Sequence, residues 1–128
     1  MILAIDLGEK TTGLAVSDST IATPLKTVTH KNQSEALVKI GQVIQEENVD
    51  TVVIGFVEGK IKSIFDTFAQ KLKEINPKLN IIMVDETLTS LQARQTLIKL
   101  NVRKTKRAAK EHEVAASIIL QSYLDSRI

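Results

Sequence analysis

The sequence contains no cysteine, no long apolar run and no marked excess of either charge. The absence of cysteine excludes disulfide bonds, zinc-thiolate sites and thiol nucleophiles, so any metal must be held by oxygen or imidazole. No stretch approaches the roughly 18 to 20 apolar residues that a membrane span needs, and Asp6 lies where a signal peptide would stay apolar. We therefore expect a soluble, cytoplasmic protein that does not bind membranes.

The balance of charge does not by itself identify a partner. Seventeen Lys and Arg against fifteen Asp and Glu give a formal net charge of +2, so the position of the charges matters more than their sum. The length of 128 residues and the apolar content of 43% suit one ordinary domain with a single core. We expect residues 1–128 to form that one domain.

Hydrophobic periodicity predicts the element order βββαβαβαα. The predicted strands are Met1–Leu7, Gly13–Val16, Ile21–Thr29, Thr51–Phe56 and Asn80–Val84. The predicted helices are Ser34–Glu47, with Asn32 or Ser34 as its cap, Ile61–Ile75, Ser90–Leu100 and Ala108–Asp125. The first three strands read as an antiparallel meander and the last two as strands reached by helical crossovers. The expected fold is an α/β domain with a mixed five-stranded sheet and helices on both faces.

The first candidate site residue is Asp6, at the end of an apolar strand. A carboxylate there costs folding free energy unless it is paired, hydrogen-bonded or bound to metal. The plainer alternative is that Asp6 caps the turn that Gly8 permits. Gly8 and Gly13 flank Lys10, an arrangement that can leave backbone amides and a cation exposed to a phosphate.

Asp85 and Glu86 form a second acidic group at the end of another buried strand. Ligands usually bind at this carboxyl edge of an α/β sheet. Adjacent strand residues point to opposite faces, so only one of the two is expected to share a site with Asp6. The plainer alternative is that one of them caps the following helix.

His112 is the third element, at the N-terminal end of the apolar stripe of the last helix. Glu111 and Glu113 lie about 100° to either side of it. Such a histidine is more often a partly buried packing residue than a ligand. The small side chains of Ala115 and Ala116 nevertheless allow the helix to approach the sheet closely, which favours a site between them.

A basic segment precedes this helix and is predicted to be a polar, exposed and mobile loop over 101–107. Its cations, with one more at the start of the helix, are Arg103, Lys104, Lys106, Arg107 and Lys110. Such a segment is either solvated or a clamp for a phosphate backbone, and the lack of interleaved aromatic residues argues against base stacking.

Six motifs together resemble one family. In chain order they are Asp6-Leu7-Gly8 with Lys10 and Gly13, Val16-Ser17-Asp18, Ala22-Thr23-Pro24-Leu25, Val53-Ile54-Gly55-Phe56, Asp85-Glu86-Thr87-Leu88-Thr89-Ser90 and Ala115-Ala116-Ser117-Ile118-Ile119-Leu120-Gln121-Ser122-Tyr123-Leu124. Over residues 2 to about 125 the chain resembles the YqgF (RuvX) family. The resemblance implies an RNase H-like fold, a bacterial cytoplasmic location and a nuclease that matures the 5′ end of pre-16S ribosomal RNA.

Two positions depart from the pattern of that family. Thr87 stands where the family usually has Arg, so the phosphate contact that the Arg would make is expected to be lost, and His112 stands where it usually has Asp. Imidazole can still bind metal or assist proton transfer. If it does neither, Glu111 or Glu113 would have to compensate for the lost acid.

These observations lead to one expected mechanism, phosphodiester hydrolysis with one or two Mg²⁺ or Mn²⁺ ions. The expected catalytic and metal-binding residues are Asp6, Glu86 or Asp85, and His112. The expected substrate-binding residues are Gly8, Lys10, Arg103, Lys104, Lys106 and Arg107. The alternatives are a Holliday-junction resolvase acting on branched DNA and a non-catalytic nucleic-acid-binding module. Pre-rRNA is the expected partner, bound by a monomer or a weak homodimer.

Overall fold

The computed structural model describes residues 1–56, 62–85, 95, 96, 99 and 104–127. Within these ranges the structure gives bounds for five strands and three helices. The strands are β1 (Ile2–Leu7), β2 (Thr11–Ser17), β3 (Thr23–Thr29), β4 (Thr51–Phe56) and β5 (Asn80–Asp85). The helices are α1 (Gln33–Glu46), α2 (Lys62–Ile75) and α3 (Lys104–Ser126).

The strands form one mixed sheet in the order β3-β2-β1-β4-β5. β1 pairs antiparallel with β2 and β2 with β3, whereas β1 pairs parallel with β4 and β4 with β5. The predicted meander of three antiparallel strands with two parallel crossover strands is therefore confirmed. β1 lies at the centre and is buried along its whole length, as its nearly continuous apolar sequence indicated.

Helices cover both faces of the sheet, as expected. On one face Leu3 and Ile5 pack in a core with the apolar residues of α1 and α2, among them Phe68. On the other face Ile2 and Ala4 pack with residues of α3. Because successive strand residues alternate between faces, Asp6 belongs with Ile2 and Ala4 on the face that α3 covers.

Asn32 is the N-cap of α1, one of the two predicted caps. Its backbone is extended, with φ −155° and ψ 176°, and its side-chain oxygen accepts a hydrogen bond from the Glu35 amide at 2.9 Å. This bond satisfies one of the amides that the first turn of a helix leaves without an intrahelical partner. Asn32 therefore determines where α1 begins.

The basic segment differs from its prediction. α3 begins at Lys104, so the expected loop over 101–107 is wrong from that residue onward. Lys, Arg and Ala are strong helix formers, so this polar segment is helical from Lys104 although it has no apolar stripe. The predicted helix 90–100 and the residues 101–103 lie outside the described part of the chain, apart from 95, 96 and 99, which are helical. None of the helices that the structure describes combines the length and the hydropathy needed to cross a membrane.

Candidate active site

Asp6 is a buried carboxylate in the middle of the sheet. Its side chain is 6% exposed, and by register it pairs with Gly13 of β2 and with Gly55 of β4. Neither neighbour on these two strands has a side chain, so the surface beside the carboxylate is bare backbone. A buried carboxylate is costly unless it has partners, so the group that faces Asp6 decides what it can do.

That group is the imidazole of His112 on α3. His112 Nδ1 lies 3.0 Å from Asp6 Oδ2, a hydrogen bond between residues 106 positions apart in the chain. The His112 side chain is 36% exposed, so the pair is closed at the carboxylate and open to solvent at the imidazole. A reactant can therefore reach the imidazole of His112 from solvent.

Gly13 allows α3 to come this close to the sheet. A Cβ atom added to Gly13 would lie 2.0 Å from both the carbonyl carbon and the oxygen of His112, and 2.5 Å from the Glu113 nitrogen. The expectation that Gly13 leaves its backbone open to a phosphate is thus wrong, because the helix backbone covers it. The sequence signal was present in Gly13, Ala115 and Ala116, which are all small residues at the contact between the helix and the sheet.

The environment of His112 shifts its pKa upward. The hydrogen bond that His112 donates to the Asp6 carboxylate is the main cause, burial acts in the opposite direction, and the charges of Asp6 and Glu111 add to the increase. When the imidazole is neutral, a proton on Nδ1 satisfies Asp6 and leaves the lone pair on Nε2. Nε2 can then accept a proton or bind an ion, which are the two functions expected of this position.

The other acids near α3 lie differently around this pair. The Glu113 carboxylate accepts a hydrogen bond from the Thr27 hydroxyl at 3.2 Å, so it is engaged at β3. Sequence reasoning did not identify Thr27. Glu111 is partly buried and acts on His112 through its charge. Of the two acids, Glu111 is thus the one that influences the site.

The second acidic group is only partly described. Ile82 and Val84 pack on the α3 face, whereas Ile81 and Met83 pack on the opposite face. The alternation assigns Asp85 to the face opposite Asp6. Glu86 lies outside the described residues, and its predicted role stays a prediction.

Asp6 and His112 supply two potential metal donors. In the part of the chain that the structure describes, no three acidic or imidazole side chains form a group able to hold an ion. A carboxylate oxygen and an imidazole nitrogen are suitable donors for a divalent ion, and a carboxylate from Glu86 would complete a set of three. The donors present are compatible with Mg²⁺ or Mn²⁺ but do not form a complete site without that acid.

The predicted substrate-binding residues fall into two groups around this pair. Gly8 and Lys10 belong to the β1–β2 turn, directly after Asp6, and Lys10 is exposed. Lys104, Lys106 and Arg107 lie in the first turns of α3. At about 1.5 Å per residue these three precede His112 by roughly 8 to 12 Å along the helix axis. Arg103 lies outside the described residues.

Comparison with known proteins relates the whole chain to one family. The family model RuvX, described as "Holliday junction resolvase", matches residues 1–126. A protein of Roseiflexus sp. named "Putative pre-16S rRNA nuclease" is 37% identical over 98% of this chain and 94% of its own length. A protein of Staphylococcus carnosus with the same name is 34% identical over 98% of this chain and 95% of its own.

Solved structures relate the fold to that of resolvases. RuvC of Thermus thermophilus, solved in complex with a Holliday junction substrate, matches with a TM-score of 0.61 at 14% identity over 98% of this chain and 94% of its own. The Fowlpox virus resolvase, solved with junction DNA, matches with a TM-score of 0.60 at 14% identity over 98% of this chain and 97% of its own. At this level of identity the likeness concerns the fold alone, and it confirms the expected RNase H-like architecture.

Proposed function

Since the chain belongs to the RuvX family, we propose that it is a metal-dependent nuclease that cleaves a phosphodiester bond at the 5′ end of pre-16S ribosomal RNA. The observation that carries this proposal is the hydrogen bond between buried Asp6 and solvent-accessible His112 at the end of the central strand. The names of the relatives support the RNA substrate. The cytoplasm is the proposed location, because that is where a ribosomal RNA precursor would be met.

Asp6 and His112 have complementary parts in the proposed reaction. Asp6 holds His112 Nδ1–H, which fixes the orientation and the tautomer of the ring. Nε2 is then the atom that acts, either as an ion ligand or as the acceptor of the proton that the attacking water loses. The remaining oxygen of Asp6 and the carboxylate of Glu86 would hold Mg²⁺ or Mn²⁺. A bound ion supplies a more acidic water and stabilises negative charge on the phosphate.

Glu86 is the preferred second acid for a reason of strand geometry. Val84 shares the α3 face with Asp6, and Glu86 follows it by two residues, which is the period of a strand. The same period assigns Asp85 to the other face. We expect Glu86→Gln to abolish cleavage, whereas Asp85→Asn should retain it.

Both roles of His112 require a neutral imidazole, so activity should fall as the pH drops through the pKa of His112. That pKa is raised above the ordinary value of about 6.5 by Asp6, so the loss should begin above that pH. In the variant His112→Asp the ordinary carboxyl pKa is about 3.9, so metal-dependent activity should extend to lower pH. If His112→Asp changes only stability and leaves the cleavage profile unaltered, His112 is a packing residue.

The decisive experiment measures cleavage of an RNA spanning the 5′ end of pre-16S ribosomal RNA, with Mg²⁺ or Mn²⁺ and with chelator. Asp6→Asn should be inactive, and Glu113→Gln is the matched control because its carboxylate is engaged at β3. If His112→Gln needs a higher metal concentration for half-maximal activity, His112 is a metal ligand. If the variant has a lower kcat at an unchanged metal requirement, His112 is a general base. If no RNA is cleaved but RNA still binds, the protein is a non-catalytic nucleic-acid-binding module.

A second candidate function is the resolution of Holliday junctions. It is favoured by the description of the family and by the RuvC-like fold. Symmetric cleavage of a four-way DNA junction requires two active sites, so this function predicts a dimer, whereas the RNA function is compatible with a monomer or a weak homodimer. Cleavage of a four-way junction compared with the RNA in the same buffer separates the two.

A further inference from the structure

A cavity lies on the other side of the β1–β2 turn from the imidazole of His112. Its volume is about 460 Å³, within the range of roughly 300 to 1,000 Å³ that is typical of small-molecule sites. We call it the turn cavity and define it by Leu7, Gly8, Lys10, Lys31, Ile64 and Phe65. None of these residues is part of the pair of Asp6 and His112, although Leu7 and Gly8 directly follow Asp6 in the chain.

The inner wall of the turn cavity is apolar. Leu7 and Phe65 are 9% and 5% exposed and belong to the core on the α1 and α2 face. Ile64 is 44% exposed at the cavity, one of the few large apolar side chains in the described chain that face solvent. A flat ligand such as a nucleobase, packing its ring face on Ile64, would remove this side chain from water, a contribution that favours binding.

The rim of the turn cavity is positively charged. Lys10 and Lys31 are both exposed, and neither forms an ion pair within the described chain. The N-terminus of the 14-residue helix α1 also opens here, and its dipole adds partial positive charge. One acid, Glu9, offsets part of this charge. The combination of apolar wall and cationic rim corresponds to a base and its phosphate.

The turn cavity and the acidic site share a wall at Gly8. A Cβ atom added to Gly8 would lie 3.4 Å from His112 Cε1, so Gly8 lies against the imidazole on one side and lines the cavity on the other. The same Cβ would collide with the backbone carbonyl oxygen of Thr11, so only glycine fits at this point of the turn. Because the site and the cavity adjoin the same turn, a nucleic-acid strand with its scissile phosphate at His112 can continue around the outside of the turn into the cavity.

We propose that the turn cavity binds one unpaired nucleotide of the substrate strand, next to the scissile phosphate. Its base packs on Ile64, Leu7 and Phe65, and its phosphate lies between Lys10 and Lys31. A base must be unstacked to enter such a cavity, so the site selects single-stranded segments over continuous duplex. This inference rests on the proposed nuclease function and adds to it a preference for the structure of the substrate.

The test uses a fluorescent reporter placed in the turn cavity. The chain contains no tryptophan, so Ile64→Trp introduces a single one at the apolar wall. The matched control is Ile75→Trp, at the other end of α2, where the isoleucine is 63% exposed. Titration with a short single-stranded RNA in chelator should quench Ile64→Trp saturably and leave Ile75→Trp unchanged. Replacing the RNA by its duplex should remove the quenching.

A second measurement avoids any change to the apolar wall. Lys31→Gln should weaken binding of labelled single-stranded RNA about tenfold and reduce the salt slope by about 0.7, the value for one lost phosphate contact. Lys71→Gln, an exposed lysine of α2, should change neither quantity.

The two proposals fail in different ways. If the RNA is cleaved but Ile64→Trp is not quenched and Lys31→Gln binds like Lys71→Gln, the nucleotide site is refuted and the nuclease remains. If quenching and the effect of Lys31→Gln are present but no cleavage occurs, the cavity is a nucleotide site and the nuclease function is refuted. If single-stranded RNA does not bind at all in the presence of chelator, the proposal that the turn cavity binds a nucleotide is refuted.

Discussion

Replacing Gly13 by alanine should separate Asp6 from His112 without altering either residue. The added Cβ would lie 2.0 Å from the carbonyl carbon and oxygen of His112, whereas ordinary contacts begin at 3.4 Å. The backbone of α3 must therefore retreat by about 1.4 Å. A hydrogen bond of 3.0 Å does not survive such a displacement along its own direction, because 3.5 Å is the outer limit of a useful bond.

The expected cost has two parts. Forcing an extra methyl group into a closely packed contact costs about 1 to 3 kcal/mol. Loss of the partly exposed hydrogen bond adds about 1 kcal/mol, after allowance for solvent screening. The free energy of unfolding should thus fall by about 2 to 4 kcal/mol, which for a domain of this size lowers Tm by roughly 8 to 16 °C.

Urea unfolding measures the first effect, and Gly41→Ala is the matched control. Gly41 lies inside α1 with nothing within 4 Å of its would-be Cβ, so alanine there should stabilise by about 0.5 to 1 kcal/mol. The second effect is visible by NMR, because the chain has only two histidines. In Gly13→Ala the pKa of His112 should fall toward its ordinary value, since the raising contact is lost. If Gly13→Ala is as stable as Gly41→Ala and leaves that pKa unchanged, the close approach of α3 does not hold the pair together.

Three further outcomes are expected. Asn32→Ala should lower the free energy of unfolding by about 1 kcal/mol in urea titrations, because the amide of Glu35 loses its acceptor, and Asn32→Ser should restore most of it. Burial lowers the pKa of His30, so the unfolded chain binds more protons below about pH 6.5, and stability should fall as the pH drops below that value. His30→Gln should make this fall shallower, and an equally steep fall would assign it to other groups. Charge reversal of Lys104 and Lys106 to Glu should weaken RNA binding and flatten its salt dependence, whereas an unchanged slope would mean that these lysines are only solvated.

The sheet could be predicted because its strands are short, nearly continuous apolar runs. The first and last residues of a strand were less predictable where polar residues are buried. β2 begins at Thr11 rather than Gly13, and Thr12 is fully buried because its hydroxyl is paired with His30 Nε2 at 2.7 Å. A pairing between residues 18 positions apart is a tertiary contact that hydrophobic periodicity does not contain. The charged start of α3 cannot be told from a loop by hydrophobic periodicity, because its first turns carry no apolar stripe.

The candidate site was predictable in part. Asp6 and His112 were identified from a strand end, a helical stripe and the family resemblance, and the structure places their side chains in contact. The face on which Asp85 lies could not be read from the sequence, because it depends on the register of β5 beside β4. The small size of Gly13 was visible in the sequence, but its contact with α3 was not, since a glycine in a strand has several possible functions. The chemical roles of these residues stay predictions until cleavage is measured.

The distance in the chain between Asp6 and His112 has a consequence for the timing of activity during synthesis. All five strands precede residue 86, so a growing chain can contain the whole sheet while His112 has not yet been made. At that stage Asp6 has no imidazole opposite it, and α3 does not yet cover Gly13. The contact that completes the pair spans 106 positions and forms only when α3 docks, which is a long-range and therefore late step of folding. If Asp6 and His112 act together as proposed, the chain cannot cleave RNA before α3 has docked on the sheet.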